Sequence, residues 1–125
     1  MYSKALLVAL FPALAASAAV VSTRQASSAG ADFGQCVPTM DFQLGRPGRK
    51  PDEGTFLPTD PLVAKGQQDA LNPNIITNRI CDQLTNVCDA NNAAKALCEQ
   101  AKSQVQALGT KDATTADAFN AALGF

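Results

Sequence analysis

Beyond Asn72 the apolar residues of this chain return at helical intervals. Ile76, Ile80, Leu84, Val87 and Cys88 follow one another at spacings of four, four, three and one, with Cys81 beside the same stripe. Asn78, Arg79, Asp82, Gln83 and Thr85 fall largely outside it. Asn72-Pro73 opens this helix, because Asn is a good N-cap and Pro at the first helical position lacks only an N–H that would be unpaired anyway. A second helix, capped by Asp89 or Asn92, carries Ala94, Leu97, Cys98, Ala101, Val105 and Leu108 on one face. Gly109 stands where a left-handed C-cap is wanted, and Lys102 suits the negative end of the helix dipole. A third, shorter helix begins at Asp112 or Thr114, with Ala116, Phe119 and Leu123 on its docking face and Gly124 closing it.

The stretch Phe33 to Leu71 reads differently. It holds Pro38, Pro47, Pro51, Pro58 and Pro61 together with Gly34, Gly45, Gly48, Gly54 and Gly66, so long helices cannot form. Met40 to Leu44 and Thr55 to Leu57 suit short extended segments, with Met40, Phe42 and Leu44 alternating toward one buried face. Phe33, Phe42, Phe56 and Leu57 are the expected anchors of this half on the helices. The predicted fold is mainly α: a disulfide-stapled helical hairpin plus a short third helix, with an irregular Pro/Gly-rich N-terminal half that contains a short β element.

The chain begins as a secretory leader does. Lys4 gives a basic start, Ala5 to Val21 is apolar except for Ser17, and Ala16-Ser17-Ala18 supplies small residues for cleavage after Ala18. A membrane anchor fits less well, because Pro12 interrupts the run and Ala dominates it. The expected organisation is a signal peptide over 1–18, a flexible lead-in over 19–32 with no periodic apolar pattern, and one small domain over 33–125. Without Lys4 the chain has nine basic and eleven acidic residues, a net charge of about −2. So balanced a chain has no electrostatic attraction to nucleic acid or an anionic membrane.

All four cysteines, Cys36, Cys81, Cys88 and Cys98, lie beyond the leader, and an exported chain with an even number pairs them. Cys81 and Cys88 sit seven residues apart on one helix, roughly 10 Å at about 1.5 Å rise per residue, beyond the reach of a disulfide. An antiparallel turn near Asp89 brings Cys81 level with Cys98 and leaves Cys88 for Cys36. Cys88–Cys98 with Cys36–Cys81 stays open if the second helix starts earlier. Bridges of these lengths contribute about 3 and about 4 kcal/mol by chain entropy, comparable with the whole stability of a small domain.

The candidate chemistry is thin. There is no histidine, which removes Ser-His-Asp and Cys-His catalysis and the common zinc sites, and no tryptophan to stack on sugar rings. No metal or cofactor is expected. Carboxylate chemistry remains, drawn from Asp41, Asp52, Glu53, Asp60, Asp69, Asp82, Asp89 and Glu99, and their spacing selects no pair. The only basic cluster, Arg46, Arg49 and Lys50, is a possible contact loop for a phosphate, a sulfated sugar or an acidic partner. Its plainer reading, which we favour, is a solvated loop tip offset by Asp52 and Glu53.

Ala31-Asp-Phe-Gly-Gln-Cys36, Gly48-Arg-Lys50, Phe56, Ala70-Leu-Asn72, Ile80-Cys-Asp-Gln-Leu84, Cys88, Cys98 and Ala116-Asp-Ala-Phe-Asn-Ala121 resemble a group of small secreted cysteine-containing proteins of ascomycete fungi. The resemblance covers most of the mature chain. It implies export and a fungal source and brings no active site. The expected function is therefore that of a secreted, non-catalytic binding, cell-surface or effector-like component, with an extracellular protein or a cell-wall glycan as partner. The rival is a small carboxylate-dependent glycan hydrolase, which needs two acids facing each other across a cleft at about 5 to 9.5 Å.

Overall fold

Each helix starts where a short polar side chain can accept from the first free backbone N–H groups. The computed structural model describes residues 30–125, so the predicted leader and most of the lead-in lie outside the described residues. Asp60 caps α1 (Pro61–Ala64), Asn72 caps α2 (Pro73–Asn86), Asn91 caps α3 (Asn92–Leu108) and Asp112 caps α4 (Ala113–Ala122). At Asp112 a full capping box forms with Thr115, satisfying two donors reciprocally. α3 ends on Gly109 in the left-handed conformation, φ 68°. These four helices account for about half of the described residues, and two strands, β1 (Met40–Leu44) and β2 (Gly54–Pro58), pair antiparallel beside them.

The expected helices over the C-terminal half are all present, with two differences. The second helix is capped by Asn91 rather than Asp89 or Asn92. Asp89 instead takes a left-handed conformation, φ 59°, a region its short polar side chain tolerates, and turns the chain between the two helices. Gln83, expected outside the apolar face, is buried, and its Nε2 makes a long 3.5 Å hydrogen bond to the Val63 carbonyl. That contact holds the unexpected α1 against α2.

In the N-terminal half the strand register sets Phe42 opposite Phe56, ring centroids 5.0 Å apart, and an isolated bridge pairs Phe56 with Ala70. Gly54 has no side chain because the Phe42 ring occupies its place: a Cβ there would lie 2.0 Å from Phe42 Cζ. The expected alternation breaks at Leu44, which is 60% exposed at the strand end while Met40 is buried. Of the expected anchors, Phe33 and Phe56 are buried, Phe42 packs at the core's margin and Leu57 is half-buried.

The core runs from Phe33 and Met40 through Phe56 and Val63 to Ile76, Ile80 and Leu84 of α2, Ala94 and Ala101 of α3, and Phe119 and Leu123. α4 docks on α3 and on β1 together. Its Asn120 amide accepts from the Met40 N–H and donates to the Met40 carbonyl, both at 2.9 Å, so a side chain pairs with the strand edge as another strand would.

Residues 30–32 at the end of the expected lead-in contact the helical half. Ala31 is buried, and the Asn91 side chain ties down its neighbours: Oδ1 accepts from the Asp32 N–H at 3.0 Å and Nδ2 donates to the Gly30 carbonyl at 3.0 Å. The composition of residues 30–32 gives no hint of this, since the anchor lies about sixty residues away.

Candidate functional site

The four cysteines form two bridges, Cys36–Cys88 and Cys81–Cys98, and none is free. This is the favoured of the two pairings left open by helix geometry. Cys36–Cys88 fastens the N-terminal segment to the turn after α2, where Gly34 lies against the Cys88 and Asp89 carbonyls. Cys81–Cys98 joins α2 to α3 with a Cα separation of 5.7 Å. The second bridge fixes which residues face each other across the two helices.

A groove of about 480 Å³ lies between them. On the α2 side it is lined by Cys81, Asp82, Thr85 and Asn86, which recur one helical turn apart. On the α3 side the lining is Lys95, Ala96 and Glu99, at the same periodicity. Glu99 pairs with Lys102 at 2.8 Å, and the Asn86 amide donates to Gln83 Oε1 at 3.3 Å. The side chains of Asp82, Thr85 and Lys95 make no hydrogen bond or ion pair among the described residues. Lys95 is half-buried and Asp82 exposed, so the groove carries an unpaired cation on one wall and an unpaired anion on the other. With Glu99 neutralised by Lys102, the local charge is near zero.

Two of the expected carboxylates, Asp82 and Glu99, thus line one groove. The Glu99 side chain is 60% exposed and ion-paired, whereas a general acid is made by burial against apolar surface. The remaining acids have structural partners or none. Asp60 accepts from the Leu62 and Val37 N–H groups, Glu53 accepts from the Lys50 N–H, and Asp52 and Asp89 are exposed. No group of three or more acids or cysteines among the described residues could hold a metal ion.

The basic cluster is not a freely solvated tip. Arg46 pairs with Asp41, and its side chain is only 11% exposed. Arg49 Nε donates to Asp69 Oδ2 at 3.1 Å and its terminal nitrogen to the Asp69 carbonyl at 3.2 Å. The expected offset by Asp52 and Glu53 is therefore corrected: the partners of Arg46 and Arg49 are Asp41 and Asp69. Strand alternation explains the exchange, because Asp41 and Asp69, adjacent to Phe42 and Ala70, project to the opposite face of the sheet from those two side chains. The Asp69 carboxyl is held below its ordinary value first by the Thr55 hydroxyl and then by Arg49, with burial opposing both. Thr55 Oγ1 is sealed from solvent without meeting hydrogen-bond geometry, so the Arg49 contact is the firmer anchor. Of the three cations, Lys50 alone keeps a side chain with no partner among the described residues.

No family model, curated protein or solved structure matches the chain. No described helix is long and apolar enough to cross a membrane, and the two disulfides fit an extracellular protein.

Proposed function

We propose that this chain is a secreted, non-catalytic binding protein in which a disulfide-stapled helical hairpin, α2 with α3, presents a recognition groove to an extracellular partner. The observation that carries the reading is the pairing of all four cysteines around that hairpin while three polar side chains of its groove, Asp82, Thr85 and Lys95, stay unpaired. Polar groups left without partners along one groove suit recognition of a ligand. The leader-like N-terminus and the resemblance to small secreted ascomycete proteins support export and a cell-surface or effector-like setting.

The test has two arms. Full-length chain carrying a C-terminal tag is expressed in a filamentous fungus, and the medium is probed for an oxidised product lacking the leader. That product is then incubated with insoluble cell-wall polysaccharides and with immobilised extracellular proteins, and sedimented. Oxidised protein in the medium and saturable retention on one class supports the reading. Retention inside the cell, or release of reducing sugar from the polysaccharide, overturns it, the second outcome in favour of the hydrolase.

A further inference from the structure

The unpaired groups of the α2–α3 groove define a ligand chemistry, an inference that rests on the binding reading above. Asp82 can only accept hydrogen bonds, and Lys95 can only donate them. Thr85 does both, and the Asn86 carbonyl oxygen has no partner among the described residues. A ligand hydroxyl is donor and acceptor at once, so a row of hydroxyls can donate to one wall and accept from the other. With Glu99 already paired to Lys102, an anionic ligand would be repelled by Asp82 and a cationic one by Lys95. Each would leave one wall repelled, whereas a neutral ligand is repelled by neither. Cys81 on one wall and Ala96 on the other add small apolar surface that the C–H faces of a sugar ring can cover. The groove's volume falls within the range of small-molecule sites.

We propose that the α2–α3 groove binds a short segment of a neutral glycan, with Asp82 accepting from and Lys95 donating to adjacent hydroxyl groups of the ligand. No aromatic side chain lines the groove, so affinity comes from hydrogen bonds to charged groups.

The test is titration of the ¹⁵N-labelled secreted protein with laminarihexaose and with N-acetylchitohexaose, followed by amide chemical shifts. A glucosamine hexamer and a sulfated oligosaccharide serve as cationic and anionic comparisons. Saturable shifts confined to residues 81–86 and 95–99 with at least one neutral hexasaccharide are expected. Asp82→Asn and Lys95→Met should each weaken binding about tenfold or more, the scale of one hydrogen bond to a charged group. Ala96→Leu, which fills the space between the walls, should abolish the shifts. Spectra of all three variants outside the groove should match the parent, which separates lost binding from lost folding. Absence of shifts with both neutral ligands, shifts mapping elsewhere, or tighter binding of a charged oligomer overturns the proposal. If sedimentation still shows retention on a partner, the secreted-binding reading survives without this groove.

Discussion

Asn91 is the residue whose replacement tests most of the fold at once. Its side chain caps α3 by accepting from the Ala94 N–H at 2.9 Å, and the same oxygen accepts from Asp32 while the amide donates to Gly30. Asn91→Ala removes all three bonds. The cap contributes about 1 kcal/mol, and each of the other two lies near the lower end of the usual range, about 0.5 kcal/mol, because Asn91 is exposed and water competes. The expected loss is about 2 kcal/mol, a fall in Tm of about 8 to 16 °C for a domain of this size. Asn91→Asp separates the contributions. It keeps both accepted bonds, places a negative charge at a helix N-terminus and loses only the donation to Gly30, so its cost should stay within about 1 kcal/mol. Urea unfolding of the three proteins gives the energies, and amide exchange at Asp32 should quicken in Asn91→Ala more than in Asn91→Asp. Equal destabilisation by the two variants, or a loss below about 0.5 kcal/mol for Asn91→Ala, would refute the assignment of Asn91 as the joint between lead-in and helix.

Three further outcomes are expected. Replacing Cys36 and Cys88 together by Ala should cost about 4 kcal/mol and replacing Cys81 and Cys98 about 3, from sequence separations of 52 and 17. Limited proteolysis should then open Phe33 to Leu71 only in the first variant, and the opposite order of stabilities would defeat the chain-entropy account. Gly34→Ala should destabilise by about 3 kcal/mol or more, since its Cβ would lie 2.0 Å from the Cys88 carbonyl oxygen at φ +66°, while Gly48→Ala, at φ +84° with open space, should cost only about 1 kcal/mol in thermal melts. The Asp69 carboxyl is lowered by Thr55 and Arg49, so its folded value lies below the unfolded value of about 3.9. Its contribution is present above about pH 4 and is lost as pH falls through the folded value, so urea midpoints of Asp69→Asn should decline less steeply in acid than those of the parent; parallel declines would remove Asp69 from the acid response.

What the sequence disclosed and what it hid divide by distance along the chain. Helix faces and caps depend on residues within one or two turns, so the pattern from Ile76 to Leu108 and the signals at Asn72-Pro73, Gly109 and Asp112 were legible. α1 was missed because four residues are too few to show a period, although Asp60-Pro61 repeats the cap-and-proline signal of Asn72-Pro73. The partners of Arg49 and Asn91 were hidden because they depend on the Phe56–Ala70 bridge and on a contact across about sixty residues. Neither leaves a local trace.

The groove belongs to the second class, because it depends on which residues of α2 and α3 the Cys81–Cys98 bridge brings together. A bridge between Cys81 and Cys98 holds the two helices side by side, so that Asp82 and Thr85 of α2 and Lys95 and Glu99 of α3 line the same groove. Across the bridge, Asp82 shares a groove with Glu99 and with the unpaired Lys95. The cysteines are therefore more than staples: by fixing the register of α2 on α3 they decide which polar groups share a groove. Reduction of Cys81–Cys98 should accordingly loosen the groove as well as the fold, since no other disulfide joins α2 to α3.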